Sequence, residues 1–274
     1  MELTLAHSPD ADDAFMFFAL AQEKINTGGY SFMHVLKDIE TLNQAAMEGI
    51  YDISAISFHA YPYVAGNYLL LSCGASVGDG YGPLVVVPAG APEGAEPATV
   101  AVPGELTTAH LVLKLWRPGV KTVVLPFDRI GEVVSAGRVE GGLLIHEGQL
   151  TYVREGLKKI VDLGAWWKKE TGLPLPLGGN VLHRRHAGRA AEINRLLREA
   201  IAWALTHREE GLRYALSFAR GLDAEEADCF VGMYVNAWTL DLGETGRRAA
   251  AELLQRGYRA GIIRTEPRLD WVVG

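Results

Sequence analysis

Apolar residues in the first part of the chain fall in short runs separated by segments with helical spacing. Leu3-Thr-Leu-Ala-His7, Phe32-Met-His-Val-Leu36 and Tyr51-Asp-Ile-Ser-Ala-Ile-Ser57 read as strands, bounded by turn and capping residues. Between them, Ala14 to about Gln22 and Ile39–Glu48 read as helices. Asp10 or Asp12 can cap the first, Asp38 can cap the second, and Gly49 ends it. Tyr68–Cys73 and Leu84–Val87 read as paired or neighbouring strands, joined by a flexible glycine-rich connection over residues 74–82. That stretch lacks the Gly-Lys-Ser/Thr that grips phosphate, so it is not a phosphate loop. Residues 88–98, rich in proline and alanine, read as a loop.

The opening pattern then returns. Thr99–Val102 is a strand, Ala109–Trp116 a helix, Lys121–Leu125 a strand, Asp128–Ala136 a helix and Gly142–His146 a strand. The order Asp38, helix, Gly49, strand, Ser57 is matched by Asp128, helix, Gly137, strand, His146. Such repetition predicts an α/β protein of two similar lobes around a ligand cleft, with parallel sheets and right-handed crossovers. Two more strand-like runs, 160–164 and 175–183, flank a helix at Ala165–Glu170. Beyond His186 the pattern is helical over Ala190–His207, Glu209–Ala219, Ala224–Tyr234 and Thr245–Ala260, with Ile193, Leu196, Leu197, Ile201 and Leu205 forming a core-facing stripe. The expected division is residues 1–96 in the first lobe, 97–177 in the second, and 178–274 returning to the first with the C-terminal helices.

Charge and cysteine content narrow the function classes. Lys and Arg together number 26 against 33 Asp and Glu, with no basic block to track a phosphate backbone, so nucleic acid is not an expected partner. The two cysteines, Cys73 and Cys229, lie far apart and outside metal-ligand spacing, which fits a reducing compartment and argues against a zinc site. No secretory signal precedes Leu3 and no apolar run is long enough for a bilayer, so the expectation is a cytoplasmic protein without membrane insertion.

The candidate chemistry begins at His146, where the apolar run Leu143-Leu-Ile145 stops at a titratable residue. Ligands of open parallel sheets sit beyond the carboxyl ends of strands, and an imidazole there suits a base near neutrality. A histidine that merely hydrogen-bonds nearby backbone fits the position equally well. Thr107 and Thr108 open a helix after a Pro-Gly turn, where hydroxyls and helix-start amides favour a carboxylate; Thr107 alone is equally an ordinary N-cap. Three carboxylates at Asp10, Asp12 and Asp13 exceed what capping requires. The chain has no Gly-x-Ser-x-Gly elbow and no clustered metal-ligand set, so proton abstraction suits His146 better than nucleophilic catalysis.

A family resemblance runs through nearly the whole chain. It is carried by Ser8-Pro9 with Asp13, Asp38-Ile-Glu-Thr-Leu-Asn43, Ala55-Ile56-Ser57 and Gly82-Pro-Leu-Val-Val86. It continues through Val102-Pro-Gly104 with Thr107-Thr108, Leu144-Ile-His-Glu147, Asp162-Leu-Gly-Ala-Trp-Trp167, Gly172-Leu-Pro-Leu-Pro-Leu-Gly178 and Tyr234-Val-Asn-Ala237. Each motif is weak alone, but in this order they resemble the 1,4-dihydroxy-6-naphthoate synthases of the futalosine route to menaquinone, cytoplasmic relatives of the type-II periplasmic binding proteins. The resemblance implies a two-lobed binding-protein-like fold and a lyase acting on a small carboxylate substrate. Cyclic dehypoxanthine futalosine would be cleaved at a carbon–carbon bond as the ring aromatises, without cofactor or metal. By the same resemblance His146 is the general base, Thr107 and Thr108 hold substrate, and Asn43, Ala55, Ile56, Ser57 and Asp13 belong to the binding site. The first loop departs from the family's frequent Ser-Pro-Cys-Pro-Asn-Asp, reading Ser8-Pro-Asp-Ala-Asp-Asp13, and some members carry lysine where Ala55 stands. A paralogue such as chorismate dehydratase and a non-catalytic cytoplasmic binding protein stay open as alternatives, as does a homodimer.

Overall fold

The computed structural model describes residues 1–219 and 221–272; residue 220 and the last two of the expected 178–274 segment lie outside it. The first lobe is built on a six-stranded sheet of β1 (Glu2–His7), β2 (Ser31–Leu36), β3 (Ile53–Ser57), β4 (Tyr68–Leu70), β5 (Ser76–Gly78) and a late strand, Leu175–His183. Its early helices are α1 (Ala11–Ala21), α2 (Ile39–Met47) and α3 (Tyr61–Val64). The second sheet has five strands, β6 (Leu84–Pro88), β7 (Thr99–Val102), β8 (Lys121–Val124), β9 (Gly141–Leu144) and β10 (Leu157–Asp162). Its helices are α4 (Thr108–Trp116), α5 (Ile130–Ser135), α6 (Gly148–Thr151) and α7 (Leu163–Thr171), after which Leu175–His183 is β11. The C-terminal part is helical, with α8 (Ala190–Thr206), α9 (Arg208–Ala215), α10 (Ala224–Tyr234), α11 (Ala237–Leu240) and α12 (Gly243–Arg259).

Two sheets forming two lobes match the expected α/β class, but the sheets are mixed rather than parallel. In the order β2-β1-β3-β11-β4, the β1 pairings are parallel, whereas β11 runs antiparallel to β3, β4 and β5. In the order β10-β6-β9-β7-β8, β6 is antiparallel to both neighbours and β7 parallel to both of its own. The reversed strands are those that bring the chain across from one sheet to the other. A strand buried on both faces shows an apolar run whatever its direction, so the hydrophobic pattern does not report this reversal. The same strands shift the division between lobes. Leu84–Pro88, counted above with the first lobe and beside Tyr68–Cys73, lies in the second sheet, and all of Leu175–His183 lies in the first. The glycine-rich segment is also more ordered than a flexible connection, since Ser76–Gly78 pairs with β11.

Burial explains the helical half. Helix α1 buries almost its whole circumference, with Phe15, Met16 and Ala19 packed among Ile193, Leu197 and Ile201 of α8, Phe230 and Val231 of α10, and Leu3 and Leu5 of β1. Each fully buried large side chain contributes about 1.5–3 kcal/mol, which holds the first loop's helix firmly in place. Helix α12 serves both lobes: Leu242 just before it and Ala250 within it pack with Tyr61 and Tyr68, while Leu253 and Leu254 join Val100, Leu111 and Trp167 of the second core. Where α7 passes the crossing segment, a Cβ on Gly164 would stand 1.9 Å from the Tyr81 carbonyl oxygen. Gly164→Ala must therefore move backbone, and is expected to cost about 1–3 kcal/mol in chemical denaturation. An unchanged midpoint would show that the crossing segment yields freely.

Candidate active site

The cleft between the sheets is lined from the first lobe by Ser8, Asp10, Asp12, Asp13, Ala55, Ile56 and Ser57, and from the second by Thr107, Thr108, Ala109, Ile145, His146 and Gln149. Strand ends and helix starts face each other there, so backbone donors and side chains of both lobes meet one ligand space.

The acidic loop follows β1 directly. Asp10 is the N-cap of α1 and accepts from the Asp13 N–H at 3.4 Å, while Asp13 Oδ2 accepts from the Ser8 N–H at 2.8 Å. All three carboxylates are buried. Asp10 is also the partner of His146, its Oδ2 lying 2.9 Å from Nδ1. Burial opposes the Asp10 charge, yet the imidazole beside it and the hydrogen bonds of Asp12 and Asp13 bring its carboxyl down to about 2. The other two acids move the opposite way. Burial, then the Asp10 charge, raises Asp13 to about 8, and burial with both neighbouring carboxylates pushes Asp12 well above the ordinary range. At neutral pH the loop therefore carries the Asp10 charge with two largely protonated acids, which limits its repulsion of an anionic ligand. Asp10, Asp12 and His146 bring possible ligand atoms within 4.8 Å of one another. They could converge on a cation only if Asp10 gave up the imidazole and Asp12 its proton.

His146 stands just past β9, at φ +52, a left-handed conformation unusual for a residue with a Cβ. Its carbonyl accepts from the Gln149 N–H at 3.1 Å and from Gln149 Nε2 at 3.3 Å. Gln149 Oε1 in turn accepts from the buried Tyr234 hydroxyl of α10 at 2.7 Å. Phe127 closes edge-on against the imidazole, 5.1 Å between ring centroids. Burial alone would lower the imidazole pKa, but Asp10, with Glu147 and Asp13 behind it, raises it above its usual value. A carboxylate on Nδ1 favours the tautomer with the proton there and a lone pair on Nε2.

The family described as menaquinone biosynthesis matches residues 3–259. The chain belongs to that family. A Thermus thermophilus protein named 1,4-dihydroxy-6-naphtoate synthase is 42% identical over 268 residues, 97% of each chain. A crystal structure of an Archaeoglobus fulgidus protein shares 44% identity, covers 96% of this chain and 98% of its own, and superposes with a TM-score of 0.91. The fold extends to the alkanesulfonate-binding protein of Xanthomonas axonopodis, at 12% identity and TM-score 0.70, with 99% of this chain and 96% of that one covered. The fold is thus that of the periplasmic binding proteins. No helix among the described residues is long and apolar enough to cross a membrane.

Against that family frame, the other expected site residues take distinct places. Ser57, at the end of β3, is clamped by Asn43 of α2: its N–H donates to Asn43 Oδ1 at 2.8 Å and its Oγ accepts from Asn43 Nδ2 at 3.1 Å. Because Oγ accepts there, the serine's own hydroxyl hydrogen is left to donate into the cleft. Asn43 itself is fully buried beneath the lining and acts through Ser57. Thr107 is the N-cap of α4, accepting from the His110 N–H at 3.2 Å and donating to the Gly104 carbonyl at 2.8 Å. Thr108 Oγ1 donates to the Leu177 carbonyl at 2.6 Å and accepts from the His59 N–H at 3.2 Å. Both hydroxyls are engaged within the protein, so the ligand-facing donors at this end are the first-turn amides of Thr108 and Ala109. Gln149 and Tyr234 carry no expected site role from the sequence, although Tyr234 opens one of the motifs of the family resemblance. Their role arises from a contact across the cleft, for which no local spacing is a signal.

Proposed function

We propose that this protein is a carbon–carbon lyase that converts cyclic dehypoxanthine futalosine to 1,4-dihydroxy-6-naphthoate, with His146 as the general base. The observation that carries this reading is the His146–Asp10 contact at 2.9 Å, with the ring lining the cleft. A purely sensory binding protein has no need of an imidazole with one nitrogen fixed by a carboxylate and the other left for a ligand proton. The family membership and the synthase name of the Thermus relative supply the reaction class. In this scheme Nε2 takes a proton from the substrate, the carbon–carbon bond breaks, and the ring aromatises as the sugar-derived fragment leaves. The amides of Thr108 and Ala109 and the Ser57 hydroxyl hold the substrate carboxylate, while Ala55, Ile56 and Asp13 line the first-lobe wall of the same cleft.

Incubation of the purified protein with cyclic dehypoxanthine futalosine should yield 1,4-dihydroxy-6-naphthoate, detectable by chromatography. Binding without turnover would return the chain to the class of binding proteins. Ser57→Ala removes one charge-assisted donor worth about 1.5 kcal/mol and should raise KM roughly tenfold with little change in kcat. An unaltered KM would move the carboxylate away from the β3 end.

A further inference from the structure

His146 is tied to the other lobe twice, directly by Asp10 and indirectly by Tyr234 through Gln149. His146 follows β9 of the second sheet, whereas Asp10 follows β1 of the first, and their 2.9 Å contact spans the cleft. The second tie also crosses, since Tyr234 of α10 reaches Gln149, which holds the His146 carbonyl. Asp10 is itself anchored as the cap of a helix buried on nearly every side. Parting the lobes would separate the ring from its carboxylate.

We propose that Asp10 is a positioning residue that fixes the tautomer of His146 from across the cleft, so that the base is complete only when the lobes are shut. This rests on the reading of His146 as the base. The carboxylate accepts the Nδ1–H, keeps the proton off Nε2, and stabilises the imidazolium formed when Nε2 takes the substrate proton. The groups facing the ring are Asp10 and Asp13 from the first loop and Glu147 from its own segment, with Asp12 acting on Asp10. Phe127 contributes an uncharged edge.

Asp10→Asn is the informative variant because asparagine caps helices as well as aspartate, so the start of α1 is kept while the charge is lost. It should lower kcat about 10–100-fold with KM nearly unchanged, a usual cost of losing a histidine's orienting partner. The acid limb of the pH profile should move to lower pH, because the charge that raises His146 is gone. Ring-nitrogen NMR of the folded variant should show the neutral histidine no longer held in the Nδ1–H form. Wild-type kcat and an unmoved acid limb in Asp10→Asn, beside an inactive His146→Asn, would overturn the positioning role and leave the base in place. A loss of kcat with the tautomer and acid limb unaltered would equally overturn it, marking Asp10 as structural. An active His146→Asn would instead remove the base reading on which the proposal stands.

Discussion

His146→Asn lowers kcat by about 10²–10⁴-fold while ligand affinity is retained, the expected signature of a lost general base. Asparagine occupies less space than imidazole, and the segment's carbonyl remains available to Gln149. Asparagine is also among the residues most tolerant of the left-handed backbone that position 146 adopts, so the fold should survive the change. The pH dependence follows from the same geometry. The base must be neutral to accept a proton, and Asp10 raises its pKa above 6.5 against the opposing effect of burial. Activity in the free-enzyme parameter kcat/KM should therefore rise with pH along a limb lying above 6.5, then level off. Turnover of His146→Asn close to that of the unmodified protein would refute the assignment.

The sequence made His146 visible because its signal is local: an apolar run ending at a titratable residue in a strand-helix-strand frame. Its conformation was not visible in that way. The strand ends at Leu144, and His146 lies beyond it in a left-handed turn, where a continued strand was expected. Nor did spacing identify its partner. Asp10 and His146 are far apart in sequence, and three neighbouring acids looked alike until burial and one cross-cleft contact divided them into one charged group and two raised ones. Thr107 and Thr108 illustrate the converse. Their place at a helix start was legible from the Pro-Gly turn and the following apolar stripe, but the commitment of both hydroxyls to protein partners depends on Gly104, His59 and Leu177. Asn43 is expected in the site only by resemblance; in the structure it lies beneath the cleft lining and makes two hydrogen bonds that orient Ser57.

Stability should fall as pH rises from about 7 to 9, with Asp13 a principal cause. Its carboxyl is raised from 3.8 to about 8 by burial and the Asp10 charge, so between those values the native state keeps a proton that the unfolded chain has released. Unfolding then becomes easier as protons are withdrawn, by up to about 1.4 kcal/mol per pH unit for a single such proton. Asp12, raised well above its ordinary value, acts in the same direction. So does His146, whose stabilising contribution is complete below its unfolded pKa and is lost as pH passes through the raised folded one. Asp10, lowered to about 2, and the buried His7 and His59, lowered to about 4, run the other way, but their changes are complete by about pH 7, below this window. Asp13→Asn keeps an oxygen to accept the Ser8 N–H and removes the titration. Thermal midpoints should therefore decline less steeply with pH in the variant, and its advantage over the unmodified protein should widen from pH 5 to pH 9. Parallel curves would mean that Asp13 ionises normally in the folded protein. A stabilised variant with impaired turnover would show that this cleft keeps its acidic loop for function at a cost in alkaline stability.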